Sequence, residues 1–120
     1  RLLKNNTPGP YTFVLPAGKE VPKRLMHPKK KTIGLKIAQN TITQALCDAL
    51  QAPFLTSSLI LPTQTLALNE AWDIKEQIGL QVDAIIDGGY CANEESTVVS
   101  LLDDIPEIIR YGRGDTSVFV

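Results

Sequence analysis

Hydroxyl and cationic side chains stand at the ends of several predicted strands. Thr12 lies near the start of one strand, Lys36 is a lone cation on a strand face, and Ser57 belongs to a run of hydroxyls where a strand stops. Ser96 opens a later strand and Arg110 closes the last one. In open α/β sheets ligands bind beyond the strand ends, and donors of these kinds hold carboxylates and phosphates. The pattern therefore indicates a site for a small anionic ligand.

Each of these residues also has a purely structural interpretation. Ser57 could be a strand-end hydroxyl with satisfied hydrogen bonds, and Arg110 could form a surface ion pair. His27, the single histidine, stands between Met26 and Pro28, which favours a helix end over a place in a catalytic triad. The residues alone leave these alternatives open. They assign no catalytic residue and predict no metal site.

Positive charge is concentrated in the first part of the chain. Residues 1–36 hold nine of the twelve Lys and Arg and one acidic residue, Glu20, so this part carries +8 and the remainder −9. Two interpretations stay open, a solvated basic surface or a surface that binds an anionic partner such as a nucleotide or RNA. The cations that would bind RNA are Lys23, Arg24, Lys29, Lys30 and Lys31.

Length and composition indicate one domain, or part of one, over residues 1–120. Hydrophobic residues make up 43% and charged residues 21% of the chain, which is ordinary for a packed domain. Cys47 and Cys91 form no recognisable disulfide or zinc pattern.

No apolar run reaches the ~18 residues of a membrane span, so we expect a cytoplasmic protein with no membrane partner. The chain starts at Arg1 with no Met, and we expect upstream sequence to be missing.

Hydrophobic periodicity predicts alternating strands and helices. The predicted strands are 11–15, 32–37, 54–58, 82–86, 97–101 and 107–110, the last two joined as a hairpin. The predicted helices are 19–27, 41–50 with Asn40 as N-cap, and 70–78 between Asn69 and Gly79. This order implies an α/β domain with a mixed sheet. A sheet cut at an exposed edge could also pair with a second copy, so an edge-paired homodimer is one expected assembly.

Five segments, taken in order, resemble the YrdC/YciO family and are closest to its YciO branch. They correspond to a Pro-Gly-Pro-x-Thr segment, a Thr-(Val/Ile)-Gly-(Val/Leu)-Arg strand, a Ser-x-Asn segment, a Ser-Thr strand and a final (Ile/Leu)-Arg-x-Gly segment. In this chain they are Asn6–Thr12, Thr32–Ile37, Leu55–Leu59, Ser96–Val99 and Ile109–Gly112.

The resemblance implies a YrdC/RibB-like fold, a twisted and mostly parallel α/β sheet with flanking helices, truncated here at the N-terminus. It implies a threonylcarbamoyl-AMP synthase, which joins L-threonine, bicarbonate and MgATP with release of pyrophosphate and supplies a tRNA modification. By position, Lys36, Ser57 and Ser96 would bind L-threonine or a similar small acid, and Thr12 and Arg110 the nucleotide. The family also includes proteins described as binding double-stranded RNA or tRNA, which leaves an RNA-binding module as the alternative.

Three departures from the family pattern affect this expectation. Leu59 stands where the family has asparagine, which removes a polar group toward the nucleotide. Lys36 replaces the usual arginine, so a guanidinium group that could form two parallel hydrogen bonds to a carboxylate is replaced by a single ammonium group. The family's Lys-x-Arg motif is not present in these 120 residues, so we expect little synthase activity from this chain by itself.

Overall fold

The computed structural model describes residues 1–91 and 94–120. Its helices are α1 (Leu2–Asn5), α2 (Thr41–Leu50) and α3 (Ala71–Ile78), and its strands are β1 (Tyr11–Pro16), β2 (Thr32–Leu35), β3 (Thr97–Ser100) and β4 (Glu107–Arg110). Short 3₁₀ turns occupy Lys23–Leu25, Gly79–Gln81 and Ser117–Phe119. None of the helices in the described ranges is long and apolar enough to cross a bilayer. The chain forms two compact units, Arg1–Leu55 with Glu95–Val120, and Thr56–Glu94.

The first unit is built on a four-stranded sheet in the order β2-β1-β3-β4. β1 pairs antiparallel with β2 and parallel with β3, and β3 pairs antiparallel with β4. The α/β class and the mixed sheet are confirmed. One strand pair is parallel and two are antiparallel, so the expected majority of parallel pairs is not what these four strands show.

Aromatic side chains from β1 and from the last residues of the chain form the core of this unit. Phe13 and Val99 are fully buried, and Tyr11 and Phe119 nearly so. The ring centroids of Tyr11 and Phe119 lie 5.4 Å apart in an edge-on arrangement, and those of Phe13 and Phe119 lie 5.9 Å apart. Because successive strand residues face opposite sides, this aromatic face of β1 leaves Thr12 and Val14 on the other side of the sheet.

A glycine-containing loop after β4 packs closely against the start of β3. The buried Thr97 hydroxyl donates to the carbonyl of Gly114 at 2.8 Å and accepts from the amides of Gly112 and Gly114 at 3.1 and 2.9 Å. A Cβ at Gly112 would overlap the carbonyl oxygen of Glu95 and lie 2.6 Å from the carbonyl carbon of Ser96. Only a glycine lets the loop approach the backbone this closely.

The second unit contains α3 and the 3₁₀ turn that follows it. Its other residues are irregular within the described part of the chain, including the segments 54–58 at its border and 82–86 inside it, which were predicted as strands. Those two predictions are wrong. Both segments have strand-forming residues, but neither is a strand of the sheet that the described residues form, and strand propensity alone does not create a paired strand.

The remaining predictions of local structure mostly hold. α2 spans the predicted residues, and the Asn40 side chain accepts from the amide of Thr43 at 2.9 Å, as expected for an N-cap. α3 begins one residue later than predicted, with Glu70 as its N-cap instead of Asn69. The prediction of a helix over residues 19–27 is wrong, because only a short 3₁₀ turn forms there, over Lys23–Leu25. Met26 is extended after that turn, and the His27 amide donates to the carbonyl of Thr32.

Replacing Gly112 by alanine tests the close approach of the loop to β3. We expect Gly112→Ala to lower the free energy of unfolding by about 3 kcal/mol, because the new methyl group meets backbone that cannot move aside cheaply. Gly18→Ala is the matched control, since a Cβ there meets nothing within 4 Å. Urea denaturation of both variants measures the difference. Equal stability of the two variants would contradict the packing described here.

Candidate functional site

A row of polar side chains crosses the sheet on the face opposite the aromatic core. Thr12 on β1 and Arg110 on β4 belong to this face, and Val98, the register partner of both residues, lies between them on β3. Continuing the β1–β2 register by one residue brings Lys36 opposite Thr12. Gly34 supports this arrangement, since a Cβ there would lie 3.2 Å from the methyl group of Thr12. Thr12, Arg110 and, one residue beyond β2, Lys36 therefore fall along one row across the sheet, which we call the polar row.

Hydrogen bonds join three of the predicted site residues directly. The hydroxyls of Thr12 and Ser96 are 2.7 Å apart, although the two residues are 84 positions apart in the chain. Nη2 of Arg110 donates to the Ser96 hydroxyl at 3.2 Å and to the Ser96 carbonyl at 2.9 Å, and Nε donates to the same carbonyl at 3.0 Å. The nucleotide-side and threonine-side predictions therefore fall in one connected group.

An ion pair fixes the other side of the Arg110 guanidinium. Nη1 of Arg110 donates to Oε2 of Glu95 at 2.7 Å, and both side chains are partly exposed. A surface ion pair and an anion-binding role are the two alternatives that the sequence leaves open for Arg110. The ion pair is present, and the same guanidinium also holds Ser96, so Arg110 serves to position the Ser96 hydroxyl.

Lys36 lies in a positive environment. Partial burial lowers the pKa of its ammonium group, and the nearby guanidinium groups of Arg113 and Arg110 lower that pKa further. Lys36, Arg110 and Arg113 are called here the cation cluster. Glu95 pairs with one of its three charges, and within the described residues no carboxylate forms an ion pair with the other two. Cations gathered in this way cost free energy unless an anion joins them.

Arg113 and Glu95 are functional candidates that sequence reasoning missed. Arg113 stands between the two glycines of the loop, and its amide donates to the carbonyl of Glu95 at 3.0 Å. The pattern Arg-x-Gly-Arg-Gly at residues 110–114 was a visible signal, because glycines on both sides of an arginine favour close backbone contact. In the same loop, the pKa of Asp115 is lowered by hydrogen bonds from the amide and then the hydroxyl of Ser117.

Ser57 belongs to the second unit, whereas the other four predicted substrate and nucleotide residues belong to the first. Its side chain is exposed, and its hydroxyl donates to the carbonyl of Ser58 at 3.2 Å. This contact fits the structural interpretation of a satisfied hydroxyl. A role for Ser57 in binding substrate stays a prediction.

The residues proposed for RNA binding all lie in the connection between β1 and β2 and are exposed. Lys23 and Arg24 are in the 3₁₀ turn, and Lys29, Lys30 and Lys31 lead into β2. The imidazole Nδ1 of His27 accepts from the amides of Lys29 and Lys30 at 3.2 and 3.1 Å. His27 therefore organises this basic turn, which is a structural role and not the expected helix end.

Two open depressions, of about 410 and 210 Å³, lie in the second unit. The first is lined by Lys75, Asp83 and mainly apolar residues, and the second by residues around Trp72 and Tyr90. Neither includes a residue of the polar row. In residues 1–91 and 94–120, no group of three or more His, Cys, Asp or Glu side chains could hold a metal ion.

Comparison with known proteins places this geometry in a family context. Residues 1–112 match the Sua5/YciO/YrdC family model, which is described as "Telomere recombination". The chain is 48% identical over 120 residues to the uncharacterised protein YciO of Escherichia coli, covering all of this chain and 58% of YciO. It is 32% identical over 114 residues to the threonylcarbamoyl-AMP synthase of Homo sapiens, covering 93% of this chain and 39% of the synthase.

Solved structures give the same result for the fold. The crystal structure of E. coli YciO matches all of this chain and 58% of its own with a TM-score of 0.94 and 48% identity. The structure of P. abyssi Sua5 complexed with L-threonine matches 92% of this chain and 32% of its own with a TM-score of 0.81 and 28% identity. The chain thus spans a little over half the length of the YciO protein it resembles.

Removing the charge of Lys36 tests the electrostatics of the cation cluster. Because the folded-state pKa of Lys36 is lowered, the unfolded state binds more protons between that pKa and the ordinary lysine value of 10.5. The free energy of unfolding should therefore rise with pH in this window. Lys36→Gln removes this rise. At pH 7 it should unfold at an equal or higher urea concentration than wild type, with a gain below about 1 kcal/mol because the site is partly solvated.

Lys75→Gln, on α3, is the control for this measurement. Urea denaturation between pH 7 and pH 10 gives the comparison, and added sulfate should stabilise wild type more than Lys36→Gln. A loss of stability at pH 7 that is specific to Lys36→Gln would contradict a repulsive cation cluster.

Proposed function

Because the chain belongs to the Sua5/YciO/YrdC family, we propose that it binds L-threonine, or a similar small amino acid, on the polar row and acts in a threonylcarbamoyl-AMP synthase. The observation that carries this proposal is the convergence of Thr12, Ser96 and Arg110 in one hydrogen-bonded group beside Lys36. A relative whose structure is described as complexed with L-threonine supports the choice of ligand. Since the chain covers 58% of YciO and 39% of the human synthase, the activity is proposed for the whole protein.

The polar row contains a cation and hydroxyl groups that could bind the charged and polar groups of an amino acid. Lys36 supplies an ammonium group for the α-carboxylate, and its lowered pKa reflects partial burial and neighbouring cations that an anion would compensate. The hydroxyls of Ser96 and Thr12 can donate to or accept from a ligand hydroxyl. Arg110 and Glu95 hold Ser96 in place, so the site is organised before the ligand arrives.

The proposed reaction joins L-threonine, bicarbonate and MgATP and releases pyrophosphate. The chain's own contribution is positioning and charge neutralisation, since cations fixed near the reacting groups stabilise developing negative charge. Mg²⁺ enters as part of the nucleotide substrate. A cytoplasmic location accords with this use of ATP and with the two free cysteines, Cys47 and Cys91.

Calorimetric titration with L-threonine tests the proposal. We expect Ser96→Ala to weaken binding about tenfold or more, because a hydrogen bond in a partly buried, charged site is lost. L-Valine, which has a methyl group in place of the hydroxyl, should bind to wild type more weakly by a similar factor. Thr41→Ala, at the exposed start of α2, is the control and should bind as wild type.

Absence of L-threonine binding to wild type, or unchanged binding to Ser96→Ala, would overturn the amino-acid site. The synthase step needs its own assay on the whole protein, which measures consumption of ATP with L-threonine and bicarbonate. No product above background in that assay would remove the enzymatic part of the proposal.

The basic turn between β1 and β2 favours RNA binding as a second candidate function. Five exposed cations lie within nine residues there, and no ion pair engages them in the described part of the chain. His27 fixes the backbone that presents two of them. An exposed basic surface of this kind contacts phosphates without reading sequence.

Neutralising Lys29 and Lys30 together tests this second candidate. If the turn contacts RNA phosphates, Lys29→Gln/Lys30→Gln should weaken binding to a double-stranded RNA and reduce the slope of log affinity against log salt by up to about 2. Lys31 stays unchanged because its φ of 52° lies in the left-handed region. Lys4→Gln/Lys75→Gln removes the same charge elsewhere as the control. An unchanged salt slope in Lys29→Gln/Lys30→Gln would rule out this surface.

A further inference from the structure

A single residue holds the backbone of the basic turn in place. Nδ1 of His27 accepts from the amides of Lys29 and Lys30 at 3.2 and 3.1 Å, and the His27 carbonyl accepts from the amide of Lys31 at 2.9 Å. Pro28, the remaining residue of the turn, has no amide N–H. Every backbone donor of residues 28–31 therefore ends on His27, so the shape of the turn depends on what that residue can accept.

The same residue fastens the turn to the sheet. The His27 amide donates to the carbonyl of Thr32 at the start of β2, and the Ala17 amide, just after β1, donates to the carbonyl of Lys31, both at 2.9 Å. Lys31 closes the turn with a φ of 52°, in the left-handed region. These backbone contacts do not change with pH, whereas the two contacts at Nδ1 involve a group that can gain a proton.

Protonation of the imidazole breaks the two contacts at Nδ1. Because Nδ1 accepts both amides, the neutral ring carries its proton on Nε2, and an added proton has to go to Nδ1. That nitrogen then donates and no longer accepts, so the amides of Lys29 and Lys30 lose their partner. Histidine is the side chain that ordinarily changes charge between about pH 5 and pH 8, and His27 is the single histidine of the chain.

The charged side chains of the connection that contains His27 are nearly all positive. The cations are Lys19, Lys23, Arg24, Lys29, Lys30 and Lys31, and the one carboxylate is Glu20. The strand residues that flank the connection, Leu15–Pro16 and Thr32–Ile33, carry no titratable group. In the described part of the chain no ion pair engages these charges. An imidazolium added here is repelled by its neighbours, and an anion bound to the turn would compensate that repulsion.

We propose that His27 is a pH-dependent clasp for the basic turn and that it couples RNA binding to protonation. The neutral imidazole closes the turn. The protonated imidazole releases the amides of Lys29 and Lys30 and adds one cation to the five exposed ones, so RNA phosphates gain a charge and two backbone donors. RNA binding should therefore strengthen as the pH falls. This coupling rests on the second candidate function, whereas the clasp itself needs no RNA.

Amide hydrogen exchange, measured by NMR, tests the clasp without a ligand. The exchange rates of the Lys29 and Lys30 amides, each divided by the intrinsic rate at the same pH, give their protection. In wild type we expect this protection to be about two- to tenfold lower at about pH 5.5 than at pH 8, the effect of losing one modest hydrogen bond.

His27→Asn is the matched control for the exchange measurement. Its side-chain oxygen can accept the same two amides and does not titrate, so protection should be equal at both pH values. His27→Ala has no acceptor and should lack this protection at both. Equal protection at the two pH values in wild type, or an equal loss at acidic pH in His27→Asn, would overturn the clasp.

Binding to a double-stranded RNA tests the coupling. In wild type the slope of log affinity against log salt should be steeper at about pH 5.5 than at pH 8 by up to about 1, which corresponds to one added phosphate contact. His27→Asn should show the same slope at both pH values. A wild-type slope that does not change with pH would overturn the coupling.

The outcomes separate this inference from the second candidate function. Loss of amide protection at acidic pH without RNA binding at either pH would support the clasp and remove RNA binding by this surface. RNA binding that depends on Lys29 and Lys30, together with amides that stay protected at both pH values, would do the reverse.

Discussion

The buried hydroxyl of Thr97 holds the start of β3 and the loop after β4 in one fixed arrangement. With one donated and two accepted hydrogen bonds, it satisfies the backbone of Gly112 and Gly114 where water does not reach. Its chain neighbour, Ser96, is turned to the opposite face of the sheet by strand alternation. One face of β3 thus anchors the loop, and the other presents the hydroxyl that meets Thr12 and Arg110.

The polar row carries a conflict between stability and binding. Three cations lie close enough for two of them to lower the pKa of the third, and the described residues supply one carboxylate partner, Glu95. Such an arrangement opposes folding slightly and favours capture of an anion. Sites organised for a ligand often carry a cost of this kind, which the rest of the fold offsets. Here the aromatic cluster on the opposite face of β1 provides that support.

Local signals in the sequence predicted much of the first unit. β1, α2 with its Asn40 cap, and the hairpin of β3 and β4 follow from side-chain alternation, capping and turn residues, which act over a few positions. The grouping of Thr12, Ser96 and Arg110 was also anticipated, since strand ends gather at sheet margins. The strand predictions for segments 54–58 and 82–86 were wrong because strand formation depends on pairing with distant segments, which local strand propensity does not reveal. Arg113 and Glu95 were missed because their importance comes from backbone contacts between the loop and β3, which no spacing rule reports.

The parallel pairing of β1 with β3 has a consequence for how the molecule assembles. β1 and β2 are close in sequence and can pair early, whereas the contact between Thr12 and Ser96 closes a loop of 84 residues. Closing so long a loop costs entropy before any contact repays it, and folds rich in distant contacts form slowly. On these grounds we expect the pairing of β1 with β2 to form before the polar row is complete. Until β3 arrives, the edge of β1 that faces it has unpaired backbone groups, and such an edge is where another strand can pair.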